Sequence, residues 1–146
     1  MTPEDYADSS FLVSLLTEDT NSAAATRFMD RNPDPLPFNP LHRLEVRNGI
    51  RLRVQRGEID TDRRTAAFRQ IEEDLADGLL VHHAMPWTDA LRKAEQLSAD
   101  HAERIGSRSA DTLHVATALL AGATRFLSFD KRQRELAKAA GLDVKP

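Results

Sequence analysis

SADTLHVATALLAGATRFLSFDKRQRELAKAAGL, residues 109–142, decides the fold. Its spacing predicts a helix over Ala110 to Ala121, closed at Gly122, where a glycine takes the left-handed cap. ATRFLSF, residues 123–129, then reads as a strand. Lys131 to Ala140 is a second helix stopped by Gly141, and LDV at 142–144 is a last short strand. Helices that alternate with short apolar strands in this way make an α/β domain with a parallel sheet.

The same grammar runs back towards the N-terminus. Trp87 to His101 has helical spacing, and LLVHHAM at 79–85 reads as a strand. Thr61 to Ala76 is a helix ended by Gly78. From Leu41 another helix shows Leu41, Leu44, Asn48 and Leu52 on one side and Arg43, Arg47 and Arg51 on another. Pro33, Pro35, Pro37 and Pro40 bracket a very short extended piece, Leu36 to Phe38. A first strand ends near Asp8, and the helix after it carries Phe11, Leu12, Leu15 and Leu16. These readings give five strands in a single domain over residues 1–146.

Composition narrows the chemistry. At 40% hydrophobic and 29% charged residues the 146-residue chain is an ordinary globular protein, neither disordered nor fibrous. No apolar run approaches a membrane span and the charged opening MTPEDYADSS is no signal peptide, so the expected compartment is the cytoplasm, with no membrane partner. The absence of cysteine excludes disulfides, thiolate zinc sites, iron–sulfur clusters and cysteine nucleophiles. No glycine-rich phosphate loop and no Gly-x-Ser-x-Gly elbow occurs. His82 and His83 are neighbours on a strand and point to opposite faces, which makes a shared metal difficult. Trp87 and the six phenylalanines lack the spacing of a base-stacking platform and are assigned to the core.

Net charge is only -3, yet eight arginines fall between positions 43 and 69. They are either a solvated helix face or, because a guanidinium fork suits phosphate oxygens, a phosphate-binding surface. The second reading makes Arg43, Arg47 and Arg51 candidates for contact with RNA or with an acidic partner.

Four acids stand out by position. Asp8 ends the first strand, Asp130 follows the fourth, and Glu45 and Asp111 lie in opening turns of helices. In an open parallel sheet those places face one crevice, where such folds bind ligands. Each of Asp8, Asp111 and Asp130 is also suited to be only a helix cap or a first-turn anion. If the four converge, their repulsion demands a cation, and all-oxygen ligation selects magnesium or manganese. Such ions activate a water and stabilise the leaving oxygen in phosphodiester cleavage, which is nuclease chemistry. Ser10 can hydrogen-bond a carboxylate or a water on the ion, although a serine in a first turn is also commonplace.

Three stretches, YADSSFLVSLL (6–16), HRLEVRNGI (42–50) and the C-terminal block quoted at the outset, resemble the PIN-domain ribonucleases, and among them the small VapC-type toxins of toxin–antitoxin pairs. The resemblance covers nearly the whole chain. It implies a three-layer α/β/α sandwich on a five-stranded parallel sheet of order 3-2-1-4-5. It also implies a magnesium or manganese site at Asp8, Glu45, Asp111 and Asp130 supported by Ser10, an RNA substrate, an antitoxin partner and a homodimer. His114 matches a common Leu-His pair and is read as a core residue. The opening MTPEDY is more polar than a usual first strand of such proteins. A PIN-like binding module without catalysis is the alternative, and a structure-specific DNA nuclease is a further one.

Overall fold

The computed structural model describes residues 2–146. In chain order its elements are β1 (Asp5–Ala7), α1 (Ser9–Leu16), α2 (Ser22–Arg31), β2 (Leu36–Phe38), α3 (Pro40–Gln55), α4 (Thr61–Ala76), β3 (Leu80–His82), α5 (Trp87–Ile105), α6 (Ser109–Leu120), β4 (Arg125–Leu127), α7 (Lys131–Ala139) and β5 (Asp143–Lys145). They fall into two compact units: the chain through Asp8 with Ala84–Pro146, and Ser9–His83.

In the first unit β1, β4 and β5 form a parallel sheet in the order β1-β4-β5. Its core gathers Tyr6, Leu97, Val115, Phe126, Leu136 and Val144, and burying a side chain such as Phe126 or Leu136 stabilises by roughly 1.5–3 kcal/mol. Tyr6 stacks on Phe126 with ring centroids 5.7 Å apart, and its hydroxyl meets Nδ1 of buried His114 at 2.7 Å. The two buried polar groups satisfy each other, which is the core role expected of His114.

The polar opening of β1 has a similar explanation. Asp5 is buried directly opposite Arg125 in the parallel register. Arg125 donates to it from Nε at 2.6 Å and from Nη2 at 2.9 Å. That hydrogen bonding, and then the carboxylate charge, holds the Arg125 pKa above its ordinary value against the opposing effect of burial.

In the second unit β2 and β3 make a two-stranded parallel sheet. α3 begins at a reciprocal cap: Asn39 accepts from the His42 N–H at 2.9 Å, and the Asn39 N–H donates to His42 Nδ1 at 3.1 Å. Pro40 fills the first helical position, where no donor is needed. Arg53, near the other end of α3, donates to Thr17 Oγ1 at 2.5 Å, the Glu18 carbonyl at 2.9 Å and Glu58 at 3.0 Å, tying the end of α1 to α3. Among the described residues no helix is long and apolar enough to cross a membrane.

Three expectations need correction. Among the described residues the strands do not form one five-stranded sheet of order 3-2-1-4-5: β1-β4-β5 and β2-β3 pair as separate sheets. Every strand has three residues, so one missing donor weighs heavily. The Leu36 N–H donates to Leu79, and the Phe38 carbonyl accepts from His83, so both residues turn their backbone to β3. The residue between them, which turns to the other edge, is Pro37, and proline has no N–H to give a further strand. On α3 the buried stripe is His42, Val46 and Ile50, whereas Leu44 and Leu52 are 68% and 41% exposed. The periodicity was present at i, i+4 and i+8, but a histidine in its first position disguised it. Trp87 is 44% exposed and opens α5 instead of filling the core.

Candidate active site

Three of the four acids belong to the first unit. Parallel pairing sets Ala7 opposite Leu127, so the next residues, Asp8 and Ser128, leave the carboxyl ends of adjacent strands side by side. The Asp8 N–H donates to the Leu127 carbonyl at 3.0 Å, which extends the ladder past the strand end. The Asp8 carboxylate is buried, and its Oδ2 accepts a 2.5 Å hydrogen bond from the Ser128 hydroxyl. Ser128 Oγ in turn accepts from the Asp130 N–H at 3.1 Å. Two hydrogen bonds thus connect Asp8 to Asp130 through one serine.

Asp130 and Asp111 also do the capping work that their positions suggested. Asp130 is the N-cap of α7, and its Oδ1 accepts from the Gln133 N–H at 2.9 Å. Asp111 lies in the first turn of α6, where Oδ2 accepts from the Arg108 N–H at 2.9 Å. Capping occupies one oxygen of each carboxylate and places the negative charge at the positive end of a helix dipole. Asp130 is exposed and Asp111 half-buried.

Glu45 belongs to the second unit, half-buried in α3. Its Oε1 accepts from the Ser9 hydroxyl at 2.9 Å, so the first residue of α1 holds a carboxylate on α3. Of the two neighbouring serines, Ser9 is half-buried against Glu45, while Ser10 is exposed. The sequence offered both in one Asp-Ser-Ser stretch, and only the helix phase separates them.

The arginines of α3 are engaged at home. Arg43 and Arg47 donate to the same oxygen of Glu72 on α4, at 3.0 Å and 2.7 Å. The Arg47 and Arg51 guanidinia lie over the Phe68 ring, 5.5 Å and 4.8 Å from its centroid. Hydrogen bonding from Arg43 is the largest influence holding the Glu72 pKa below its ordinary value. Burial, then the neighbouring charge of Arg43, lowers that of Arg47. This set joins α3 to α4, a role the stripe of arginines did not announce.

The donors offered by the acids are carboxylate oxygens only, which suit a hard divalent cation in kind. Among the described residues no group of three or more His, Asp or Glu side chains is gathered into a metal-binding set. The second unit also has a cavity of about 450 Å³, lined among others by Leu15, Met29, Leu36 and Leu80, and Glu45 is not part of its wall. Ser128 escaped the sequence reading. The signal that could have found it is positional, because it follows β4 as Asp8 follows β1.

The sequence matches the PIN domain family over residues 6–139. The chain belongs to that family. Among solved structures it is similar to VapC20 of Mycobacterium tuberculosis, a sarcin-ricin loop cleaving toxin, with a TM-score of 0.70 at 18% identity over 97% of this chain and 99% of that one. It is also similar to FitAcB from Neisseria gonorrhoeae, with a TM-score of 0.64 at 15% identity over 97% of this chain and 96% of the other. At these identities the likeness is one of fold. No curated protein is significantly similar in sequence.

Proposed function

We propose that the chain is a divalent-metal-dependent endoribonuclease, the toxin of a toxin–antitoxin pair. The observation that carries this reading is the pairing of Asp8 and Asp130 through Ser128 at the carboxyl ends of β1 and β4, in a chain of the PIN domain family. Asp8, Asp111 and Asp130, with Glu45 as the fourth, are assigned as the holders of magnesium or manganese, with Ser10 in support. When bound, such an ion neutralises the phosphate, activates water and stabilises the departing oxygen. The residues of the chain supply charge and orientation: Asp8 is held buried by Ser128, and Asp111 and Asp130 are fixed by the helix starts that they cap. The partners that accompany this reading are an RNA substrate, a small antitoxin and a second copy of the chain, in the cytoplasm. The toxin named among the fold neighbours supports the antitoxin and the RNA. Arg43, Arg47 and Arg51 are assigned as contacts to the RNA backbone or to an acidic partner, with Arg43 and Arg51 exposed on α3.

The test is incubation of purified protein with a pool of tRNA and ribosomal RNA in magnesium, in manganese and in EDTA, beside Asp8→Asn. Discrete fragments that need metal and vanish in the variant are expected. Intact RNA in both metals, or equal cleavage by a folded Asp8→Asn, overturns the assignment. One observation favours a second reading, a PIN-like RNA- or protein-binding module without catalysis: no three-ligand set is gathered among the described residues. Calorimetry that finds no uptake of either ion would select that module.

A further inference from the structure

Ser128 is completely buried one residue beyond β4, and each of its polar groups is engaged. Its N–H donates to the Lys145 carbonyl at 3.0 Å, and its own carbonyl accepts from Arg134 Nη1 at 2.7 Å. Its hydroxyl accepts from the Asp130 N–H and donates to Asp8 Oδ2. The polarity of this relay is fixed. An amide N–H only donates and an ionised carboxylate only accepts, so the hydroxyl proton lies on the Asp8 side. A residue clamped through its backbone therefore holds one oxygen of the Asp8 carboxylate.

Gln133 adds an independent observation. α7 opens with Asp-x-x-Gln, a spacing in which the glutamine amide ordinarily turns back to accept the N–H of the capping residue. Only half of that box is made: Asp130 accepts from the Gln133 N–H at 2.9 Å. The Asp130 N–H goes to Ser128 instead, and Gln133 Oε1 lies buried without a hydrogen-bond partner. Buried acceptors are almost always paired. The fold has forgone an available cap, and the group that gains is the hydroxyl beside Asp8.

Resting on the reading of Asp8 as a cation ligand, we infer that Ser128 is a positioning residue, which fixes the plane of the Asp8 carboxylate before a divalent ion arrives. Hydrogen bonds that orient a ligating carboxylate are worth about 10- to 100-fold in metal affinity. The experiment is calorimetric titration of Mn²⁺ into the wild type and into Ser128→Thr, Ser128→Cys and Ser128→Ala, with thermal melts of the metal-free proteins. Affinity is expected to follow the strength of the donor: threonine close to wild type, cysteine weaker, and alanine down by about 10-fold. A graded loss of affinity that does not track the melting temperatures is the signature of positioning. A Ser128→Ala protein that binds Mn²⁺ as wild type does, or whose only change is a lower melting temperature, overturns the inference and leaves the nuclease reading standing. Wild type that takes up no Mn²⁺ overturns both.

Discussion

The ion pair between Asp5 and Arg125 gives the sharpest test of how β1 is held. Asp5 is 1% exposed, whereas the Arg125 side chain is 19% exposed and has Glu4 as a second carboxylate at 3.7 Å. The two ways of breaking the pair are therefore unequal. Arg125→Met strands a carboxylate in the sheet interior, a change worth about 3–5 kcal/mol, and partial exposure of the arginine argues for the lower end. Asp5→Leu leaves a guanidinium that still reaches water and Glu4, so the loss is nearer that of hydrogen bonds to a charged group, about 1.5–3 kcal/mol. The double variant Asp5→Leu/Arg125→Met removes both charges and should recover most of the difference, because a buried pair is often replaced by apolar side chains at little net cost. For a chain of this size about 3 kcal/mol corresponds to a fall of roughly 6–12 °C in melting temperature. Thermal melts by circular dichroism at neutral pH on the two single variants and the double complete the cycle. If Arg125→Met melts no lower than Asp5→Leu, or if the double variant melts as low as the two losses summed, the pair is not coupled as its geometry requires and the reasoning fails.

Gly122→Ala should lower the melting temperature by several degrees, because φ is 80° there and an added Cβ would lie 3.1 Å from Thr2 Cγ2; an unchanged melt would refute the strain. His42→Ala removes the buried acceptor of the Asn39 N–H and the stack on Phe38 while keeping the backbone N–H that Asn39 caps, and urea unfolding should register a loss of about 2 kcal/mol. Glu72→Gln tests the link from α3 to α4. Because Arg43 and Arg47 lower the Glu72 pKa below 4.5, its contribution is complete above that value and disappears as pH falls through the lower folded value. Wild type should melt above Glu72→Gln at neutral pH and in low salt, and the gap should close in acid; a gap independent of pH would remove the ion pair as its cause. Asp130→Asn keeps a side-chain oxygen for the Gln133 N–H, so RNA cleavage should fall by at least about 10-fold with the melting temperature nearly unchanged.

Element order was legible in the sequence because glycines and prolines punctuate it. Leu36 to Phe38 and Thr61 to Ala76 appear in the structure with the bounds that punctuation gives. α2 has no counterpart in the sequence reading, since SAAATRFMDR is short and its apolar side is only Ala25, Phe28 and Met29, of which Ala25 alone is fully buried and Phe28 meets Phe11 edge-on. The places of Asp8, Asp111 and Asp130 at strand ends and helix starts were legible as well, but the hydroxyls bonded to Asp8 and Glu45 were not. Ser9 and Ser128 are set apart from other serines only by helix phase and by strand register, both products of pairing between distant segments. Residue types likewise could not reveal that Arg43 and Arg47 share one carboxylate, because Glu72 lies 29 and 25 positions away from them.

Asp8 and Ser128 are 120 positions apart, and that separation bears on how the protein is made. Synthesis proceeds from the N-terminus, and by His83 every strand partner of Ser9–His83 has already been translated. β1, made before all of these, waits for Arg125–Leu127 before it has its strand neighbour. The carboxylate at its end acquires its serine only after 120 further residues have been joined. A nascent or prematurely terminated chain that stops short of β4 therefore lacks the Asp8–Ser128 contact altogether, so translation itself delays the appearance of the site until β4 and Ser128 have been made.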